Sequence, residues 1–270
     1  MKTTLSYQYV KKEGAETYIF LHGFMGSKDD WKEVVNFLKG SYSLLLIDLP
    51  GHGDSKVEDN RAYTMENSAF LVMELLKSLK IDRVTVVGYS MGGRLALYLA
   101  LQCRGIFKRA ILESASPGLK DLSMRIKRCR KDRDLANRLE RGDFREFLNW
   151  WYLQPVFASL AKKPEKLRSI KERRMNNHGK YLAKSLRFMG LGMQPSLWES
   201  LKDLSIPLRL IVGERDEKFI EIAREMLEVD ERINLAVVEN AGHNAHEENC
   251  SGFCQALTLE ENIYEAILLD

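Results

Sequence analysis

Residues 84–102 read VTVVGYSMGGRLALYLALQ, and the fold turns on them. Val84–Tyr89 is apolar on both faces, as a strand covered from both sides requires. After Ser90, leucines and alanines recur at helical spacing. Between the two lie Gly88, Ser90 and Gly92, the Gly-x-Ser-x-Gly pattern of a nucleophile elbow. The turn is so tight that side chains at the flanking positions would collide with backbone. It lifts the Ser90 hydroxyl above the C-terminal edge of the sheet, and it aims the unpaired N–H groups of a helix N-terminus at developing negative charge. The bare pattern is weak; the strand before it and the helix after it make it specific.

The surrounding chain repeats that rhythm. Strands are expected at Tyr18–Leu21, Ser43–Asp48, Arg109–Leu112, Pro207–Val212 and Asn234–Val238, with Ser6–Val10 as an antiparallel edge strand. Helical patterns cover Asp30–Leu38 and Met65–Leu79, the second capped by Thr64. Apolar strands alternating with helices predict an α/β chain with a mostly parallel, doubly wound sheet. The rhythm breaks between about 118 and 200, where basic helical stretches and the aromatic run FLNWWYLQPVF (147–157) replace strand patterns. The expected organisation is a core of 1–117 and 201–270, with 118–200 as a helical cap inserted before the last two strands.

Composition bounds the function. The apolar share of 45% and charged share of 29% are ordinary for a water-soluble protein. No apolar run approaches the ~20 residues of a membrane span, and the N-terminal stretch lacks the apolar segment of a signal peptide. Cys103, Cys129, Cys250 and Cys254 have neither metal-ligand nor disulfide-framework spacing, so a reducing cytoplasm is the expected compartment. The net charge of +3 hides an asymmetry. Residues 120–190 hold 20 Lys and Arg against 8 Asp and Glu, leaving 21 against 30 elsewhere. Such a block admits a small polyanion, nucleic acid or a merely solvated helical face. Its aromatics are clustered rather than interleaved, which ranks nucleic acid last.

A serine hydroxyl needs a histidine to take its proton and a carboxylate to hold that histidine. On this architecture the order is Ser, Asp, His, each on a loop after a strand. Asp216 in LIVGERDEKF and His243 in LAVVENAGHNAH fit; Glu214, Glu217 and His246 are the weaker rivals. In FLHGFMGS (20–27), Gly23 and Gly26 let the loop approach the elbow, so the Phe24 and Met91 backbone N–H groups form the expected oxyanion hole. His22 is read as shaping this loop. DLPGHGDS (48–55) has no Lys-Ser/Thr after it and is read as loop shaping, not a phosphate cradle. No metal or cofactor site is expected.

These motifs resemble the α/β-hydrolase superfamily over nearly the whole chain. More narrowly, LHGFMGSKDDW, DLPGHGDS, GYSMGGR, PGL, WYLQPVFASL, NNHG, GERDEKF and AGHNAHEEN together resemble the 2-succinyl-6-hydroxy-2,4-cyclohexadiene-1-carboxylate (SHCHC) synthases of menaquinone biosynthesis. The resemblance implies a lyase that removes a proton and expels pyruvate from 2-succinyl-5-enolpyruvyl-6-hydroxy-3-cyclohexene-1-carboxylate. It also implies that Arg94, Arg128 and Arg174 meet the substrate's carboxylates, that Trp151 and Tyr152 wall the pocket, and that Tyr89 hydrogen-bonds substrate. Two departures stand out: Ser114 and Ser116 replace more typical glycines, and the interval from Asp216 to His243 is long. Arg94 carries weight independently. It follows Ser90 by four residues, hence on the same helix face, and its planar fork matches a carboxylate. A serine carboxylic-ester or carbon–carbon bond hydrolase, and a ligand-binding receptor with the same pocket, are the competing expectations. The expected partner is a small multi-carboxylate substrate, not nucleic acid or membrane, on a monomer or weak homo-oligomer.

Overall fold

The computed structural model describes residues 5–259; residues 1–4 and 260–270, assigned above to the core, lie outside it. Seven strands form one sheet: β1 Tyr7–Val10, β2 Thr17–Leu21, β3 Ser43–Ile47, β4 Val84–Tyr89, β5 Phe107–Glu113, β6 Leu208–Gly213 and β7 Ile233–Val238. Their order is β1-β3-β2-β4-β5-β6-β7, with β1 antiparallel to β3 and every other pair parallel. The expected strands are all present, Val84–Tyr89 with the same ends and the others with ends displaced by at most two residues. The start of the Asp30–Leu38 helix is tighter than expected: a 3₁₀ turn at Lys28–Trp31, capped by Ser27, precedes α1 (Lys32–Leu38).

Alternation along the strands sends side chains to two separate cores. Ile19, Leu21, Leu45, Val86 and Leu112 pack beneath α2 (Met65–Ser78) and α3 (Met91–Gln102). Phe20, Leu44, Leu46, Val87 and Ile111 point to the other face, against Trp31, Val34 and Phe253. Each fully buried Leu, Ile or Phe contributes about 1.5–3 kcal/mol relative to exposure, so both faces must be covered. The capping expectation for Thr64 is realised, its hydroxyl accepting from the Asn67 N–H.

Between β5 and β6 the chain leaves the sheet. Helices α4 (Leu122–Arg141), α5 (Phe144–Trp151), α6 (Pro164–Arg174) and α7 (Gly179–Met189) pass over the C-terminal strand ends, joined by short 3₁₀ turns. They build an apolar cluster of their own from Leu135, Leu139, Phe147, Ile170 and Leu182, into which Met25 of the first loop inserts. After β6 come α8 (Glu217–Leu227), then β7, α9 (Ala245–Glu248) and α10 (Cys250–Thr258). No helix among the described residues is long and apolar enough to cross a membrane.

Candidate active site

The elbow has the geometry its glycines imply. Ser90 lies between β4 and α3 with φ +49°, a left-handed conformation that costs a non-glycine residue energy. A Cβ at Gly88 would overlap the Gly92 carbonyl, and one at Gly92 would overlap that of Leu21. Asp216 N-caps α8 after β6, and His243 follows β7. His243 Nδ1 donates to Asp216 Oδ2 at 2.9 Å, which leaves Nε2 to accept from the Ser90 hydroxyl at 3.3 Å. Asp216 and His243 are buried. The Phe219 ring packs against His243 at 4.7 Å, tilted by 44°, and Tyr89 flanks it at 5.5 Å, so the imidazole is held between two rings.

Ser114 belongs to this relay, although its sequence gave no sign of it beyond a departure from glycine. Its backbone has φ +45°, and its hydroxyl donates to Asp216 Oδ2 at 2.7 Å. Asp216 thus accepts from two directions on the oxygen that orients His243. His246, the rival base, is occupied elsewhere. Its Nδ1 donates to Glu113 Oε2 at 2.6 Å, and its ring stacks on Trp31. Burial opposes its charge, but the Glu113 carboxylate prevails and raises its pKa.

The two Gly-rich loops face the serine. Gly23 lies so close to the Tyr89 ring that a Cβ would collide with it. The N–H groups of Phe24 and Met91 meet no acceptor among the described residues, as oxyanion donors require. His22 ties one loop to the other: Nε2 accepts from the Leu49 N–H at 3.0 Å and Nδ1 contacts the Gly23 carbonyl. The second loop wraps around Asp48, which accepts from the N–H of Asp54 and from both the backbone N–H and the ammonium of Lys28.

A cavity of about 270 Å³ opens over Ser90 and His243. Phe24, Tyr89, Trp151 and Phe157 supply apolar and aromatic wall, and Arg94, Arg128, Lys131 and Lys218 are its charged lining; no carboxylate lines it among the described residues. Arg94 donates only to neutral oxygens, the Met189 carbonyl at 3.2 Å and Gln194 Oε1 at 2.9 Å. Desolvation, then Arg128, lowers its pKa to about 10. Arg128 is half-buried and spends its Nε on Asp132 at 2.7 Å. Lys131 and Lys218 are lining residues that the motif reading overlooked; their signal was a one-turn spacing from Arg128 and a position two residues after Asp216.

Two expected site residues lie elsewhere. Arg174 is buried against Asp30, and neither it nor Tyr152 lines the cavity. Burial disfavours the Arg174 guanidinium, yet Asp30 and Tyr152 outweigh it and raise its pKa. Tyr152 packs on Phe157 at 4.8 Å, one layer behind the wall that Trp151 forms. Next to Arg174, Asn177 of the NNHG motif joins both Gly-rich loops: its amide donates to the Met25 carbonyl and accepts from the Gly53 N–H.

Chemically, the arrangement is a proton relay beside two free amides, roofed by cations. No group of three His, Cys, Asp or Glu side chains able to hold a metal occurs among the described residues. A family model described as the alpha/beta hydrolase family matches residues 18–256. A Salmonella paratyphi B protein named 2-succinyl-6-hydroxy-2,4-cyclohexadiene-1-carboxylate synthase is 37% identical over 246 residues, covering 90% of this chain and 93% of its own length. The solved structure of MenH from S. aureus superposes with a TM-score of 0.89 at 30% identity, over 95% of this chain and 97% of that one. An enol-lactonase from Burkholderia xenovorans LB400, 18% identical with a TM-score of 0.79 over 94% of both chains, shares the fold.

Proposed function

Because this chain belongs to the α/β-hydrolase family, and within it to the SHCHC synthases, we infer that it is a lyase of menaquinone biosynthesis. It eliminates pyruvate from 2-succinyl-5-enolpyruvyl-6-hydroxy-3-cyclohexene-1-carboxylate to give SHCHC. The observation that carries this reading is the pairing of an intact Asp216–His243–Ser90 relay with a cavity whose charged lining is wholly cationic. A pocket for neutral esters would leave Arg94, which donates only to neutral oxygens, without a counter-ion.

In the proposed mechanism Asp216 holds His243, and His243 makes the Ser90 oxygen basic enough to take the proton next to the succinyl carbonyl. The electron pair of the broken C–H bond moves toward that carbonyl, and the Phe24 and Met91 amides receive the negative charge. As the charge returns, a double bond forms between ring carbons 2 and 3, the existing 3,4 double bond shifts to carbons 4 and 5, and the C5–O bond to the enolpyruvyl group breaks. The relay proton goes to the departing enolate, which leaves as pyruvate. No acyl-enzyme forms. Arg94 and Arg128 orient the substrate's carboxylates, Trp151 walls the ring, and Tyr89 supports the site from beneath.

Residues 118–200 act as the cap over a core made of 1–117 and 201–270. The basic block serves the anionic substrate rather than nucleic acid or a membrane surface. The working unit is a cytoplasmic monomer or weak homo-oligomer that needs no cofactor. Purified protein given the precursor should release pyruvate, read by coupling to lactate dehydrogenase. Ser90→Ala and His243→Ala should each lower the rate by about 10³-fold or more. Turnover that survives either change removes the mechanism; a wild type that never releases pyruvate removes the function.

A further inference from the structure

Three cations are expected to meet the carboxylates of the substrate, but Arg174 is neutralised by Asp30 and lies outside the cavity. Arg94 is free of carboxylates and Arg128 shares its guanidinium with Asp132. A substrate with a carboxylate on each of its arms therefore lacks one charged contact on the side of the base. We propose that Lys218 supplies it: its ammonium binds a substrate carboxylate on the His243 side of the cavity, making it a specificity-determining residue.

Lys218 lies in the first turn of α8, two residues after Asp216 and next to Phe219, whose ring packs on His243. It lines the same cavity as Ser90 and Arg94. It makes no hydrogen bond or salt bridge among the described residues; its ammonium lies over the face of Phe219, 5.4 Å from the ring centroid, and feels Asp216 only at longer range. The adjacent Glu217 makes no ion pair with it, and Asp216, two positions back, has its Oδ2 occupied by His243 and Ser114. Desolvation, then Arg128, lowers the pKa of the Lys218 ammonium although Asp216 opposes the shift, so an arriving anion improves its surroundings.

Topology gives the reason for two cations rather than one. Arg94 rises from the end of β4 and Lys218 from the end of β6, with β5 between them. Two strand spacings separate their anchor points by about 10 Å. A molecule bearing carboxylates on separate arms is then held at both ends, with the carbon to be deprotonated over Ser90. Arginine on the helix fixes orientation through its fork, while lysine, a point charge on a flexible stem, follows its carboxylate as the product departs. Lys131 shares the wall but sits on α4 of the cap rather than on an element that carries the relay.

This inference rests on the proposed lyase function, and the experiment separates the two. Wild type, Lys218→Met, Lys218→Gln and Lys218→Arg are titrated calorimetrically with propane-1,2,3-tricarboxylate and assayed for pyruvate release from the precursor. Circular dichroism melts check that each variant folds; the two neutral variants back each other. The Met and Gln variants should bind the tricarboxylate at least tenfold more weakly and raise KM by a similar factor, with kcat within threefold of wild type. Lys218→Arg should stay within threefold of wild type in both. Undiminished tricarboxylate binding in the neutral variants, or a wild type that does not bind it, overturns the assignment of Lys218. So does a fall in kcat with KM unchanged, which marks a structural effect on the neighbouring relay. If wild type binds the tricarboxylate but yields no pyruvate, the lyase reading fails, while the binding comparison still decides the role of Lys218.

Discussion

The cavity and the buried seam behind it use the same residue types for opposite ends. In the seam, Arg174 and Arg173 both meet Asp30, Arg173 also meets Glu247, and His246 meets Glu113, so each of these basic groups lies beside a carboxylate. In the cavity, Arg94 faces only neutral oxygens and His243 offers its second nitrogen to a hydroxyl. An arginine enclosed with its counter-ion is structural, because neither charge can be removed without stranding the other. An arginine desolvated without one is left in a state that an anionic ligand improves. The partner decides what each side chain does, and residue type alone does not.

The largest effect that tests this contrast is on stability. Arg174→Met should lower unfolding stability by about 3 kcal/mol, since buried Asp30 then keeps only the longer 3.6 Å contact with Arg173. Denaturant midpoints should show it, and Asp30→Asn combined with Arg174→Met should recover part of the loss. Arg94→Ala should do the reverse: a fall of about 10²-fold in kcat/KM for the precursor, from about 3 kcal/mol of charge-assisted hydrogen bonding, with a smaller shift in the midpoint. Equal stability losses at Arg94 and Arg174 would erase the distinction.

Ser114 lies on the border between the two regions, and its effect should be smaller. Ser114→Ala removes one hydrogen bond to Asp216 and should lower kcat by about tenfold or less, roughly 1 kcal/mol. An unchanged kcat in single-turnover assays would show that His243 alone keeps Asp216 oriented. Ser114→Gly loses the same hydrogen bond but relieves the positive φ, so it should melt higher than the alanine variant.

The smallest effect is a pH dependence in the seam. His246 has a folded-state pKa raised above 6.5, so the stability it lends is complete below pH 6.5 and fades as pH rises through the higher folded value. His246→Gln should flatten the stability profile across that window. A profile that keeps its slope would assign it to other groups.

Much of this was legible in the sequence because it is local. The strand positions follow from apolar runs, and Ser90, Asp216 and His243 stand out because each occupies the loop after a strand. The partners of charged groups are not local. Arg174 and Asp30 are 144 positions apart, Arg94 and Gln194 are 100, and Ser114 and Asp216 are 102. No periodicity encodes such meetings, so Arg174 read as a ligand contact until the fold placed it beside Asp30. Lys218 was passed over because a single lysine after a motif carries no pattern.

Asn177 ties the seam to chemistry in one more way. Its amide is bonded to Met25, the residue after Phe24, and also to Gly53, while Arg174 three positions earlier grips the turn that begins at Ser27. The roof at this corner and the loop bearing an oxyanion donor are therefore tied together. A side chain at position 177 too short to span the two loops would let the Phe24 amide drift from the serine even with the relay intact.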